Sequence, residues 1–106
     1  MNIFKSEINL VKDGAPADVH ELADRVDLMH EYLVSQENVR FADIVVAGGS
    51  EISINLALRQ AEDETKADTE NRVDVLLAEA FERAAMTLES AEHALENGHV
   101  REFSCV

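Results

Sequence analysis

The chain has little cysteine, proline and aromatic residue, and each shortage narrows the kinds of protein it can be. Its single cysteine, Cys105, excludes a disulfide-stapled secreted domain, because no second cysteine can pair with it within the chain. Aromatic residues make up only 5% of the chain, so the hydrophobic core must consist mainly of Leu, Ile, Val and Ala. The one proline, Pro16, follows Gly14 closely, and together they predict a turn between two differently patterned segments.

Long hydrophobic runs are lacking as well. No apolar stretch approaches the length needed to cross a membrane, and the first residues lack the basic start and long apolar core of a signal peptide. We therefore expect a cytoplasmic protein, located in the host cytoplasm if its source is a virus. A length of 106 residues predicts a single domain over residues 1–106 with one hydrophobic core.

Basic residues are scarce relative to acids. The chain has 9 Lys and Arg against 22 Asp and Glu, which gives a formal net charge of −13. This charge repels nucleic acid phosphates and anionic membrane surfaces, so direct binding to either is disfavoured. It attracts instead a protein partner with a basic surface, including a groove that normally holds nucleic acid. The alternative is that the acidity serves only solubility or adaptation to salt.

Two patterned segments in the first third of the chain predict a strand followed by a helix. Residues 4–11 alternate between two faces with a period near two, which is typical of a partly buried strand. After the turn, apolar residues recur at spacings of three and four, which predicts an amphipathic helix from about Pro16 to about Gln36. These apolar positions are Val19, Leu22, Val26, Met29 and Leu33.

The middle of the chain favours a β-hairpin. A β-branched run at 41–46 is followed by the tight-turn sequence Ala47-Gly48-Gly49-Ser50 and then by alternating apolar residues at 52, 54, 56 and 58. The competing interpretation is a helix capped by Ser50. That helix would place Arg59 on its apolar side and leave Ile54 on another side.

A second long helix is predicted after a charged connector at 62–70. Thr69 is the expected N-cap, and Asn97-Gly98 is the expected stop. The apolar stripe would run from Val73 through Leu77 to Leu95, and the tail after Gly98 could add an edge strand. The resulting order predicts an α+β fold, a two-layer sandwich in which two amphipathic helices cover one face of a small antiparallel or mixed sheet. If the hairpin were helical, a mostly helical bundle would result.

No motif predicts catalysis, a cofactor or a metal. His20-Glu21-Leu22-Ala23-Asp24 has the spacing of a zinc-hydrolase helix, with Asp24 in place of the second histidine, but no third ligand is evident. The Gly48-Gly49 turn lacks the lysine and the spaced third glycine of a phosphate-binding loop. We therefore expect a protein that is not an enzyme and that requires neither metal nor cofactor.

Two sets of residues are candidates for binding a partner. The first set consists of carboxylates that recur three and four residues apart on the first helix: Asp18, Glu21, Asp24, Asp27 and Glu31. The second set is the apolar pair Val75 and Met86, which lies opposite the buried stripe if the second helix is continuous.

These patterns favour a non-enzymatic, acidic protein-binding module. Size and charge liken it to small viral inhibitors that mimic nucleic acid and dock on a basic surface of their target. The alternative is a structural or assembly subunit, such as a virion or scaffold component, in which identical chains meet through their extra apolar positions.

Overall fold

Two helices and five strands follow one another in the computed structural model, which describes residues 2–95 and 98–105, apart from the side chains of 90–95 and 98–100. Their order is β-α-β-β-α-β-β. The elements are β1 (Asn2–Lys12), α1 (Val19–Ser35), β2 (Val39–Ala47), β3 (Glu51–Gln60), α2 (Lys66–Arg83), β4 (Met86–Leu95) and β5 (Gly98–Cys105).

The five strands form one mixed sheet in the order β2-β3-β1-β5-β4. β1 pairs antiparallel with β3 on one side and parallel with β5 on the other, and β4 and β5 form an antiparallel hairpin. The predicted α+β fold is confirmed. The C-terminal strand was expected at an edge, however, and it lies inside the sheet because β4, which was predicted as helix, takes the edge position.

Alternation along the strands places the core between the sheet and the two helices. The side chains of Ile52, Ile54 and Leu58 are 0 to 1% exposed, and Leu10 of β1 is buried beside them. Their neighbours at odd positions point to the other face of the sheet. The predicted hairpin over residues 41–58 is therefore confirmed, and the helical alternative for this segment is wrong.

The hairpin turn anchors the start of α1. The backbone N–H of Ala17 donates to the carbonyl oxygen of Gly49 at 2.9 Å. A Cβ atom on Gly49 would lie 2.0 Å from the carbonyl oxygen of Ala17, so only glycine allows this approach. α1 then begins after Asp18, whose side chain accepts a hydrogen bond from the Glu21 N–H at 3.0 Å.

The second helix begins and ends earlier than the sequence predicts. Its N-cap is Thr65, which forms a capping box with Asp68. The side chain of each of these two residues accepts a hydrogen bond from the backbone N–H of the other. Thr69, the predicted cap, is instead buried in the first turn. Its hydroxyl donates to the Thr65 carbonyl oxygen at 3.1 Å and accepts from Nε2 of Gln60 at 2.9 Å.

The C-terminus of α2 is fixed by a residue of the other helix. After Arg83 the chain leaves the helix through Ala85, which has a left-handed φ of 55°. Nη1 of Arg25, on α1, donates to the carbonyl oxygens of Ala84 at 3.2 Å and Ala85 at 2.6 Å. The last carbonyl groups of a helix have no partner within the helix. Here the Arg25 guanidinium supplies the hydrogen bonds that these carbonyls would otherwise lack. The stop predicted at Asn97-Gly98 is therefore wrong, and β4 begins at Met86.

Candidate functional site

The solvent face of α1 carries three carboxylates in a row. The opposite face of this helix is held in the core by Leu22 and Met29, both 0% exposed. Asp24, Asp27 and Glu31 are exposed, and their spacings of three and four residues separate them by roughly 4.5 to 6 Å along the helix axis. We call these three residues the acidic ladder.

The other two acids predicted for this set have local roles. Asp18 is the N-cap of α1, where its carboxylate accepts from the Glu21 N–H. Glu21 forms an ion pair with Nη2 of Arg25 at 2.8 Å, one turn further along the helix. Both carboxylates therefore support α1 and its contact with the end of α2, and they lie outside the acidic ladder.

The acidic ladder has no internal cation. Among the contacts that the structure describes, the side chains of Asp24, Asp27 and Glu31 form no hydrogen bond and no ion pair. Like charges three and four residues apart repel each other by a few tenths of a kcal/mol per pair. The ladder is thus a row of solvated charges on a rigid helix, whose repulsion a cationic partner would relieve.

Tyr32 joins the two helices beside the acidic ladder. Its hydroxyl donates to the Glu79 carboxylate of α2, and the Arg83 guanidinium lies over its ring, 4.5 Å from the centroid. The hydrogen bond to Glu79 and, to a lesser extent, burial raise the pKa of Tyr32 above its ordinary value. An open cavity of about 390 Å³ at this junction is lined by Leu28, Glu31, Tyr32, Ser35 and Arg83.

The apolar pair predicted on the second helix does not form a common surface. Val75 lies on α2 with 58% of its surface exposed, but Met86 lies on β4 and is only 3% exposed. Because α2 ends at Arg83, the helical phase that placed the two residues on one line does not extend to Met86. The prediction that they share an exposed face is wrong, and Met86 belongs to the hydrophobic core.

A larger cavity, beside the end of β3 and the start of α2, is lined by an ion pair that stabilises the fold. Arg72 donates from Nε and Nη2 to the two carboxylate oxygens of Glu64 at 2.6 and 2.7 Å, and from Nη2 to the Arg59 carbonyl oxygen at 2.9 Å. The hydrogen bonds from Arg72 lower the pKa of Glu64. The cavity of about 450 Å³ beside them therefore has its Arg72 cation already engaged.

The structure also reveals an open sheet face that the sequence analysis missed. On the side away from the helices, Ile3, Phe41 and Val45 are 46%, 56% and 52% exposed. The signal was present in the run at 41–46, where apolar residues occupy both alternating faces of one strand.

No other constellation of ligating side chains emerges. In the described part of the chain, no group of three or more His, Cys, Asp and Glu residues is placed to hold a metal ion. Within the same residues, neither helix is apolar and long enough to cross a membrane.

The fold and this surface define an α+β two-layer domain with an acidic helix face. Comparisons of the chain with protein-family models, with curated proteins and with solved structures found no match.

Proposed function

We propose that the protein is a non-enzymatic acidic binding module that docks the acidic ladder on a basic surface of a partner protein. The observation that carries this proposal is the row of three exposed carboxylates on α1, which form no ion pair with any residue that the structure describes. Their complement is a row of Lys and Arg side chains on the partner, and we expect this interaction in the cytoplasm.

The rigidity of α1 supports this function. The helix is fixed by its buried stripe, by the Asp18 cap and by the Arg25 contacts to the end of α2, so the carboxylates are held in place before binding. Preorganisation lowers the entropic cost of association. The carboxylates are separated by roughly 4.5 and 6 Å along the helix axis, so they can present several negative charges to a row of Lys and Arg that otherwise meets phosphates. The partner surface we propose is thus one that binds nucleic acid, and the protein would inhibit that binding.

The test removes the charges of the acidic ladder without changing its shape. One variant combines Asp24→Asn, Asp27→Asn and Glu31→Gln. A matched control, Asp43→Asn with Glu51→Gln and Asp63→Asn, removes three exposed charges that lie outside α1. A partner captured with the tagged wild-type protein is purified, and its affinity for all three proteins is measured at low and at physiological salt.

The ladder variant is expected to bind about tenfold more weakly, since three exposed charge pairs together contribute about 1.4 kcal/mol. Its affinity should also depend less on salt, because exposed charges are screened. The control variant should bind as the wild type does. An equal loss of affinity in both variants would mean that only the net charge matters for binding. No loss of affinity in either variant would mean that the acidic ladder is only a solvated face. Both outcomes contradict the proposal.

The open sheet face favours a second candidate function, an assembly subunit built from identical chains. Ile3, Phe41 and Val45 are large apolar residues that are each about half exposed on the same face of the sheet. In this alternative, the open sheet face of one chain packs against the same face of a second copy.

A further inference from the structure

The sheet is open along part of its interior, between β1 and β5. The two strands pair at only three positions, where residues 10–12 lie beside residues 101–103. β1 begins eight residues before Leu10, whereas β5 begins three residues before Arg101. The pairing stops at Leu10, and in this register the first residue of β5, Gly98, lies level with Glu7. Among the residues that the structure describes, no strand therefore lies beside residues 2–6 on this side of β1.

The backbone groups on this side of β1 are those of its odd-numbered residues. The N–H of Lys12 donates to the Ser50 carbonyl oxygen, on the β3 side, at 2.7 Å, and the N–H of Asp13 donates to the Phe103 carbonyl oxygen, on the β5 side, at 2.8 Å. Successive residues of a strand direct their backbone groups to opposite edges. The amides and carbonyls of Ile3 and Lys5 therefore point toward the gap, and those of Glu7 lie at its end, level with the start of β5.

A groove of about 330 Å³ lies along this unpaired stretch. Part of its lining is apolar, from Phe4 and Ile8 of β1 and Val73 of α2. The other notable lining residues are charged: Glu7, Glu70, Asp74 and Arg101. Among the lining residues that the structure describes, three carboxylates outnumber one guanidinium, and this guanidinium is already paired with Asp74 at 3.2 Å.

We propose that this groove binds an extended basic segment of a protein partner as an added strand beside β1. The backbone of the added segment would form hydrogen bonds with the odd-numbered residues of β1. These hydrogen bonds would supply affinity and fix the register of the segment. Because side chains alternate along a strand, apolar residues of the segment can meet Phe4, Ile8 and Val73 while the residues between them meet water and carboxylates. Lys or Arg side chains that point to the open sheet face meet Glu7, while Glu70 adds negative charge on the α2 side of the groove.

Arg101 contributes one further feature to the groove. Its Nη1 is paired with Asp74 and its Nη2 donates to the Glu89 carbonyl oxygen at 3.2 Å, but its Nε is buried with no hydrogen-bond partner among the atoms described. A buried donor without an acceptor costs free energy. A backbone carbonyl oxygen of the added strand could accept a hydrogen bond from Nε of Arg101.

The groove lies between β1 and α2, whereas the acidic ladder lies on α1. The groove binds its segment whether or not the acidic ladder binds a partner, so this proposal goes beyond the proposed function and does not rest on it. The two can be separated experimentally, because Asp24, Asp27 and Glu31 do not line the groove.

The probe is a short fluorescent peptide of alternating lysine and valine, with a glutamate-valine peptide as the control ligand. Lys5→Pro removes a backbone N–H on the unpaired side of β1 and leaves the hydrogen bonds to β3 in place, and a strand tolerates proline at such a position. Lys5→Ala is the matched control, because it removes the same charge but keeps the N–H. A second variant, Glu7→Gln with Glu70→Gln, tests the charge without altering the backbone.

We expect the wild type and Lys5→Ala to bind the basic peptide, and Lys5→Pro and the double glutamine variant to bind it at least tenfold more weakly. The variant lacking the acidic ladder should retain binding. In the wild type, the peptide should slow hydrogen exchange of the Ile3, Lys5 and Glu7 amides. The proposal would be overturned if the wild type bound the basic and the acidic peptide equally, or if Lys5→Pro bound the basic peptide as well as Lys5→Ala does. It would also be overturned if the peptide left hydrogen exchange of the β1 amides unchanged. So would protection of these amides by self-association without peptide, which would assign the groove to a second copy.

Discussion

At the scale of single residues, the two adjacent glycines of the hairpin turn have different reasons to be glycine. Gly48 has a left-handed φ of 65° with open space around it, whereas Gly49 faces the Ala17 carbonyl oxygen. The first glycine is required by backbone conformation and the second by a tertiary contact. The contact ties the β2-β3 turn to the segment that leads into α1, so it positions the helix that carries the acidic ladder.

This difference predicts unequal costs for the same substitution. Gly48→Ala should lower the free energy of unfolding by about 1 to 2 kcal/mol, the cost of a left-handed alanine. Gly49→Ala should lower it by roughly 2 to 4 kcal/mol, because its Cβ forces the turn away from Ala17 and breaks the hydrogen bond between them. Urea unfolding followed by circular dichroism measures both. A Gly49→Ala variant as stable as Gly48→Ala would show that the close approach does not exist.

The acids of α1 show how one residue type takes different roles along a single helix. Asp18 caps the helix and Glu21 binds Arg25, while Asp24, Asp27 and Glu31 meet only solvent. The first two contribute to stability, so they are poor choices for testing function. Substitution of the last three should leave stability almost unchanged, because exposed surface positions usually change it by less than about 0.5 kcal/mol.

At the scale of secondary structure elements, the end of α2 is the main difference between expectation and structure. The apolar spacing continues past Arg83, so the sequence resembles one long helix. The chain nevertheless turns at Ala85, which adopts the left-handed conformation that usually favours glycine. Arg25 makes this turn possible by donating to the carbonyl oxygens of Ala84 and Ala85.

Two neighbouring substitutions test where this helix ends. Ala85→Gly should raise the free energy of unfolding by up to about 1 kcal/mol, because glycine adopts the left-handed conformation without a Cβ penalty. Ala84→Gly should lower it by about 1 kcal/mol or more, because this residue is buried and its φ is −89°. Thermal and urea unfolding give both values. If Ala85→Gly were instead as destabilising as Ala84→Gly, the helix would continue through this position.

At the scale of the whole molecule, the two faces have different chemistry. The helix face carries the acidic ladder, while the open sheet face carries Ile3, Phe41 and Val45 among mixed charges. A two-layer sandwich leaves one face of its sheet without a covering layer. A basic partner therefore suits the first face, and a second copy of the chain is the occupant that the assembly alternative assigns to the second.

The assembly alternative predicts a change of mass with little change of stability. Phe41→Thr combined with Val45→Thr keeps residues suited to strands but removes the exposed apolar surface. If copies meet through this face, light scattering should show a multimer for the wild type and a monomer for the variant. Thermal melting of the variant at low concentration should change little, because both side chains are already half exposed. A wild type that stays monomeric at high concentration would rule the assembly alternative out.

The acidic ladder was largely predictable, and the groove beside β1 was not. Asp24, Asp27 and Glu31 lie opposite the apolar stripe of α1, so helical spacing alone places them on the solvent face. The groove depends on how far β5 extends along β1, and strand register is set by contacts between distant residues. The sequence around Ile8 contains no signal for it.

Local pattern and turn chemistry determined β1, α1, the hairpin and the α+β class, because those signals depend on neighbours along the chain. Only the tertiary structure decided where α2 ends and where Met86 lies. Met86 and Leu88 fit a strand of period two as well as a continuing helix, so the pattern is ambiguous there. The choice is made by Arg25, 59 residues away from Ala84, and by pairing of β4 with β5, which places Leu88 opposite Phe103. Long-range contacts override local preference wherever two local patterns compete.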